Sequence, residues 1–250
     1  ENEIAELFDT IDPQAIALVR DALQRTLARE LADEFFAIYN ANQQPEYRVE
    51  HDAIGQRSLK NVCLTYLAFS DAQLADKLVQ TQYHQATNMT DALAALSAAV
   101  AAQLPCRDAL LAAYDERWHQ DGLVMDKWFV LQATSPAANV MRNVRQLLNH
   151  RSFTMSNPNR VRSLVGAFAS ANPAAFHAKD GSGYKFLVEM LIDLNTRNPQ
   201  VAARMVEPLI RLKRYDEGRQ AMMRQALEQL LELDKLSGDL YEKITRALNA

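Results

Sequence analysis

Five times in this chain a small polar or acidic residue stands directly before a proline, a pair that typically starts an α-helix. The pairs are Asp12-Pro13, Ser135-Pro136, Asn157-Pro158, Asn172-Pro173 and Asn198-Pro199. The first side chain can accept hydrogen bonds from the free N–H groups of the first turn. Proline is tolerated at the first helical position because its missing N–H would have no helical partner there. These pairs predict a chain that is divided into many helices.

Apolar residues near the start of the chain recur every three or four positions, as on one face of an α-helix. The residues of this stripe are Ile16, Val19, Leu23, Leu27, Leu31, Phe35 and Ile38. The spacing predicts one continuous helix, and similar stripes further along predict about a dozen helices of ordinary length. Only 7 glycines and 8 prolines occur in 250 residues, which argues against a β-sandwich or barrel with its frequent turns.

Amphipathic helices in succession with short connections favour stacked antiparallel helix pairs. The sequence therefore predicts an all-α fold, a superhelix (solenoid) of the HEAT or armadillo type. No Gly/Ser-rich or charged linker divides the chain, so we expect one domain over residues 1–250. The segment Asp180-Gly181-Ser182-Gly183 lacks the lysine and the preceding strand of a phosphate-binding loop. We interpret it as a turn into the helix that begins near Tyr184.

The residue types that catalysis and metal binding need do not occur together in this sequence. The histidines are His51, His84, His119, His150 and His177. None forms a His-Glu-x-x-His pattern, and no cysteine–histidine spacing fits a zinc finger. Cys63 and Cys106 lie in apolar helical patterns, so we expect buried free thiols in a reducing compartment. We therefore expect no catalytic residue and no metal ligand in this chain.

Charge and hydropathy also exclude two classes of partner. The net charge is −4, so the chain has no positive footprint for nucleic acid. No apolar run approaches the 18 residues that a membrane-spanning helix needs. We expect neither nucleic acid nor a membrane as a partner.

Several longer segments are more specific than a generic helical pattern. They are residues 88–97 (NMTDALAALS), 104–110, 127–136, 150–160 (HRSFTMSNPNR), 172–177, 180–184 and 237–244 (SGDLYEKI). Together they resemble the C-terminal helical domain of the bacterial aminopeptidase N family. The enzymes of this family are zinc-dependent alanyl aminopeptidases of the gluzincin class. The resemblance covers nearly the whole chain.

The resemblance implies that the chain is the C-terminal part of a longer enzyme, and its first residue, which is not methionine, fits that expectation. In the family the zinc site belongs to a separate catalytic domain, so zinc is expected in the parent enzyme and no cofactor in this chain. The helical domain would cap the catalytic domain, enclose the active-site cavity and gate the access of short peptides. Its partners would be the other domains of the same polypeptide, in the cytoplasm, and the fragment alone would be inactive.

Three residues match positions of the cavity wall near the primed subsites of the family: Arg162, Gln200 and Arg204. The sequence adds one further hint, because Arg160, Arg162 and Arg204 follow predicted helix starts, where a cation is unfavourable next to the helix dipole. Such arginines could attract the C-terminal carboxylate of a peptide. Without the resemblance, ordinary surface arginines paired with nearby carboxylates would explain the same pattern.

A second interpretation belongs to a different class of protein. A free-standing helical-repeat scaffold that binds a peptide or protein would have the same composition and the same periodicity. Only the length of the specific resemblance favours the aminopeptidase interpretation, in which the parent enzyme removes N-terminal residues from peptides.

Overall fold

The computed structural model describes residues 1–249, and all regular elements among them are helical. This confirms the all-α fold. Four of the five proline pairs start helices, with the proline as the first helical residue at positions 13, 158, 173 and 199. The prediction at Ser135-Pro136 is wrong. The Ser135 hydroxyl accepts a hydrogen bond from the Ala137 N–H at 3.3 Å, which stabilises a turn instead, and the next helix begins at Val140.

The chain forms two compact units. One contains Leu18–His119, and the other contains Glu1–Ala17 together with the residues from Gln120 onward. The first two helices are α1 (Asn2–Ala5) and α2 (Pro13–Glu30). Helix α2 begins in the second of these units and continues into the first.

The unit of residues 18–119 is built from the rest of α2 and five further helices. These are α3 (Ala32–Ala41), α4 (His51–Leu67), α5 (Ala72–Gln85), α6 (Met89–Ala102) and α7 (Arg107–Trp118). Helix α3 packs on α4 and α5 packs on α6, while α6 also contacts α4 and α7. The core includes Leu64, Val79, Leu96 and Tyr114, which are fully buried. Cys63 and Cys106 are free and buried, as expected.

The stripe predicted as one helix is interrupted. Leu31 has φ −113° and ψ 25°, so α2 ends at Glu30 and α3 begins at Ala32. The change of direction allows Phe35 to stack on Tyr66 of α4, with ring centroids 4.6 Å apart. Not all residues of this stripe are buried, because Val19 is 65% exposed and Leu23 is 59% exposed.

A buried polar cluster joins α4, α5 and α6. The Lys60 Nζ donates to the Asp91 carboxylate at 2.8 Å, and Asn61 and Asn88 donate to the same carboxylate at 2.9 and 3.1 Å. Burial alone would raise the pKa of Asp91, but these donors together hold that pKa below its ordinary value. Asp91 is therefore an ionised group in the interior of this unit.

The other unit contains the remaining helical elements. They are α8 (Gly122–Ala133), α9 (Val140–Leu147), α10 (Pro158–Val161), a π-turn (Arg162–Gly166), α11 (Ala167–Ala171), α12 (Pro173–Phe176), α13 (Ser182–Arg197), α14 (Pro199–Met205), α15 (Glu207–Ile210), a 3-10 turn (Leu212–Arg214), α16 (Glu217–Leu231) and α17 (Gly238–Asn249). Helix α13 packs on α14 and α16, and α14 packs on α17. Phe168 contacts Phe176 and Phe186 edge to face, at centroid distances of 6.1 and 5.6 Å.

The glycine-containing turn leads into α13, as the sequence predicts. Gly181 has φ +69°, a conformation that favours glycine. Gly183 lies against the backbone of α12: a Cβ atom at this position would be 2.0 Å from the Phe176 carbonyl oxygen. Both glycines are therefore required by the geometry with which α13 starts.

His177 lies beside this turn and is buried. Its Nδ1 is 2.9 Å from the Tyr184 hydroxyl, and its ring stacks on Tyr215 at a centroid distance of 4.1 Å. Burial, with a smaller contribution from the positive charge of Arg219, lowers the pKa of His177 to about 3. The ring is therefore neutral at physiological pH.

Candidate functional site

Arg162 lies on a helix that is fixed at its start by Asn157. The Asn157 Oδ1 accepts hydrogen bonds from the N–H groups of Asn159 and Arg160, at 3.0 and 3.4 Å, and Pro158 follows at the first helical position. The Arg162 side chain is exposed, and its Nη1 donates to the Asn159 Oδ1 at 3.3 Å. No carboxylate within residues 1–249 forms an ion pair with Arg162.

Arg162 is also the first residue of a π-turn. The helix that starts at Pro158 runs through Arg162–Gly166 in the wider π geometry and then continues as α11. Short π segments inside helices are rare and often occur at functional sites. No pattern in the sequence predicts the π geometry of this segment.

Arg160 is not part of an exposed basic face, so the suggestion that it joins Arg162 there is wrong. It is 5% exposed and forms an ion pair with Asp126 of α8. Its Nη1 also donates to the Gly122 carbonyl at 2.9 Å, and its guanidinium lies over the Phe129 ring at 5.6 Å. Arg160 therefore holds two helices together.

Gln200 and Arg204 lie on α14, which Asn198 caps. The Asn198 Oδ1 accepts from the Val201 N–H at 3.2 Å, and Pro199 is the first helical residue. Both the Gln200 and the Arg204 side chains are exposed. Within residues 1–249, neither side chain has a hydrogen-bond or ion-pair partner.

The argument from the helix dipole is wrong for Arg204. Helix α14 ends at Met205, so Arg204 lies in its last turn, where a cation is favourable. The prediction that it lies at the unfavourable end assumed a longer helix. The position of Arg204 therefore has to be judged from its surroundings rather than from the dipole.

Contacts around Gly166 bring the two arginine-bearing segments together. A Cβ atom on Gly166 would lie 3.1 Å from the Cε of Met205 and 3.3 Å from its Sδ. The same atom would lie 3.8 Å from the Cβ of Arg162. Thus Gly166 lies close to the Cβ of Arg162 and to the side chain of Met205, which follows Arg204 in the sequence.

The guanidinium and amide groups of these three side chains can donate hydrogen bonds to an anionic group. Two exposed guanidinium groups and one free amide lie on neighbouring segments, and none of the three is neutralised by a carboxylate of residues 1–249. Arginine can donate two parallel hydrogen bonds to a carboxylate. The set contains no nucleophile and no general base, so it could hold a substrate but not transform it.

Four residues that shape this site were missed by the sequence analysis. Asp126, Ser163 and Gly122 fix the position of Arg160, and Gly166 allows the close approach of Met205. Asp126 is more than thirty positions away from its partners in the sequence. No local pattern could have associated it with Arg162.

The structure also bears on metals and membranes. In the part of the chain that the structure describes, no three His, Cys, Asp or Glu side chains come close enough to hold a metal ion. None of the helices in this range combines the length and the apolar character that crossing a membrane requires.

The unit of residues 18–119 has an exposed apolar surface of its own on α2. Leu18, Val19 and Leu23 are 70%, 65% and 59% exposed, and Val19 and Leu23, which are four positions apart, are neighbours on one face of the helix. Exposed apolar clusters of this kind often mark contacts with another protein surface.

Comparisons with known proteins show to which family the chain belongs. The family model described as "Domain of unknown function (DUF3458_C) ARM repeats" matches residues 1–249. The aminopeptidase N of Escherichia coli K12 is 74% identical over 247 residues, and that of Haemophilus influenzae is 52% identical over 248. Each match covers 99% of this chain, which spans 28% of the length of these relatives.

The fold has a close counterpart among solved structures. Legionella pneumophila aminopeptidase A, solved in complex with aspartic acid, superimposes with a TM-score of 0.88 at 30% sequence identity. The match covers 99% of this chain and 30% of that protein. The chain belongs to the DUF3458_C family of ARM-repeat domains and corresponds to the C-terminal region of bacterial aminopeptidase N.

Proposed function

We propose that this chain is the domain of a zinc aminopeptidase that caps the catalytic domain, encloses the active-site cavity and gates peptide access. The parent enzyme would remove N-terminal residues from short peptides in the cytoplasm, as part of peptide catabolism. Zinc and the catalytic residues would lie elsewhere in the parent, because no metal cluster occurs in the described residues 1–249. The partners of this chain would be the other domains of the same polypeptide and the peptides in the shared cavity.

We assign the role of peptide-binding wall to Arg162, Gln200 and Arg204. The observation that supports this role is that Gln200 and Arg204 are exposed and have no hydrogen-bond or ion-pair partner within residues 1–249. They lie on a segment whose Met205 packs against Gly166, in the π-turn that begins with Arg162. Two guanidinium groups there would hold the C-terminal carboxylate of a short peptide, on the primed side of the scissile bond. A long or folded chain would have no free carboxylate within their reach.

The exposed apolar side of α2 supports the capping role. Leu18, Val19 and Leu23 would be covered by another part of the parent enzyme, since burial of such side chains stabilises an interface by about 25 cal/mol for each Å² removed from water. The family match over 99% of the chain also favours the capping role.

The test compares peptide substrates in the full-length parent enzyme. Arg204→Ala should raise the KM for a tripeptide with a free C-terminus about tenfold, the value of a lost hydrogen bond to a charged group. The KM for the same tripeptide with a C-terminal amide, and for an alanine anilide, should change less than about twofold, because these lack the carboxylate. Arg204→Lys should recover part of the loss.

Arg224 provides a matched control. It is an exposed arginine of α16 with no hydrogen bond or ion pair to any residue of 1–249. Arg224→Ala should leave all three KM values unchanged. Equal losses on the free and the amidated tripeptide in Arg204→Ala would show that Arg204 does not bind the carboxylate.

A further inference from the structure

A buried polar cluster joins α8 to the helix that carries Arg162. The Asp126 carboxylate forms the ion pair with buried Arg160 and lies 3.1 Å from the Ser163 hydroxyl. Arg160 and Ser163 lie on either side of Arg162 in the sequence. One carboxylate of α8 therefore binds the side chains of one residue before and one residue after Arg162.

Gly122 makes this arrangement possible. A Cβ atom at Gly122 would lie 3.1 Å from the Nη2 of Arg160, so the absence of a side chain leaves room for the guanidinium to reach the Gly122 carbonyl. Arg160 then has three contacts in α8: this carbonyl, Asp126 and the Phe129 ring. The start of the π-containing helix is fixed rigidly to α8 as a result.

Ser163 connects this anchor to the π-turn. Its hydroxyl oxygen is 2.9 Å from the Arg160 carbonyl oxygen as well as 3.1 Å from the Asp126 Oδ1. The single hydroxyl hydrogen is shared between these two acceptors. A serine that bonds to a carbonyl one turn earlier competes with the regular helical hydrogen bonds and often bends the helix. The distortion coincides with the π-turn over Arg162–Gly166.

Arg162 has little else to fix its direction. Its side chain is exposed, and its hydrogen bond to Asn159, itself exposed, is long at 3.3 Å. The direction in which the side chain leaves the helix therefore depends on the backbone of the π-turn. Misplacement of a binding group by about 1 Å can cost a large factor in catalysis.

We propose that Asp126 and Ser163 are positioning residues, which lock the π-turn and so aim Arg162 at the C-terminal carboxylate of the bound peptide. This inference rests on the proposed function, because it assumes that Arg162 contacts the peptide. Neither Asp126 nor Ser163 touches the peptide. Both act through Arg162 alone.

The test is a double-mutant cycle in the full-length parent enzyme, with a free tripeptide and its C-terminal amide as substrates. Ser163→Ala removes the hydroxyl without leaving a buried charge unpaired. It should raise the KM for the free tripeptide about fivefold and leave kcat and the KM for the amide within about twofold. In the Arg162→Ala background, Ser163→Ala should have no further effect, because coupled residues are not additive. Ser163→Thr, which keeps the hydroxyl, should restore the KM.

Thr65→Ala is the matched control. The Thr65 hydroxyl donates to the Asn61 carbonyl at 3.0 Å, one turn earlier in α4, and has no connection to Arg162. This variant should leave both KM values unchanged. A crystal structure of Ser163→Ala provides a second readout, in which residues 162–166 should return to regular α-helical hydrogen bonding.

The outcomes separate the two proposals. If Arg162→Ala has no effect on the free tripeptide, the assignment of Arg162 to the peptide site is wrong, and the positioning role is wrong with it. If Arg162→Ala weakens binding but Ser163→Ala does not, or if the two effects add, only the positioning role is overturned. A Ser163→Ala structure that keeps the π-turn would also overturn it.

Discussion

Replacement of Gly183 by alanine should destabilise this chain more than a typical single substitution. Gly183 is the second residue of α13, and its Cα lies against the backbone of α12. The added Cβ would lie 2.0 Å from the Phe176 carbonyl oxygen and 2.8 Å from its carbonyl carbon. Contacts under 3.0 Å essentially do not occur for real Cβ atoms, so the two backbones must separate by at least about 1 Å.

The expected cost follows from what has to move. Overpacking a well-packed interior typically costs about 1–3 kcal/mol, and the obstacle here is backbone rather than the end of a flexible side chain. We therefore expect the upper end of that range. The better helix propensity of alanine offsets up to about 1 kcal/mol. The net loss in the free energy of unfolding is about 2 kcal/mol, or a fall of about 4–8 °C in Tm for a chain of this length.

Urea unfolding followed by circular dichroism measures this loss, and Gly55 supplies the control. Gly55 is an exposed residue inside α4, and a Cβ atom there would meet no other atom within 4 Å. Gly55→Ala should stabilise the chain by up to about 1 kcal/mol. If Gly183→Ala is as stable as the wild type while Gly55→Ala behaves as expected, the close approach of α12 and α13 is wrong.

Three further predictions concern the buried ionisable groups and the isolated chain. Lys60→Met should cost about 3–5 kcal/mol in urea unfolding, because Asp91 would be left buried without its cation, and Lys60→Met/Asp91→Asn should recover part of that loss. His177 binds a proton in the unfolded chain near pH 6.5 but in the folded chain only at about pH 3. Stability should therefore fall by about 1.4 kcal/mol for each pH unit between about pH 6.5 and about pH 3, and a His177→Gln variant with the same slope would contradict this. The isolated chain, supplied with zinc, should not hydrolyse an alanine anilide, and turnover that survives further purification would refute the proposed division of function.

Helix starts could be predicted from the sequence because the interactions that form them are local. An Asn or Asp side chain caps N–H groups two or three residues later, as Asn157 and Asn198 do. Ser135 has the same local pattern but forms a turn instead. The end of α14 at Met205 was missed, because no glycine or proline stands at that position.

The candidate site could be predicted only in part, because burial and long-range contacts decide the roles of similar residues. Arg160 and Arg162 are two positions apart and chemically identical, yet one is buried against Asp126 and the other is exposed. The π-turn depends on a hydroxyl and a carboxylate that are far apart in the sequence. The spacing of residues within one helix contains no information about either contact.

The assignment of Arg162, Gln200 and Arg204 to the peptide-binding wall is tested most directly by a crystal structure of the full-length parent enzyme with a non-hydrolysable tripeptide bound. We predict that a guanidinium nitrogen of Arg162 or Arg204 lies about 2.7–2.9 Å from the C-terminal carboxylate of the peptide, with Gln200 in the same wall. A peptide bound in the catalytic cavity with all three side chains turned toward bulk solvent would show that this assignment is wrong.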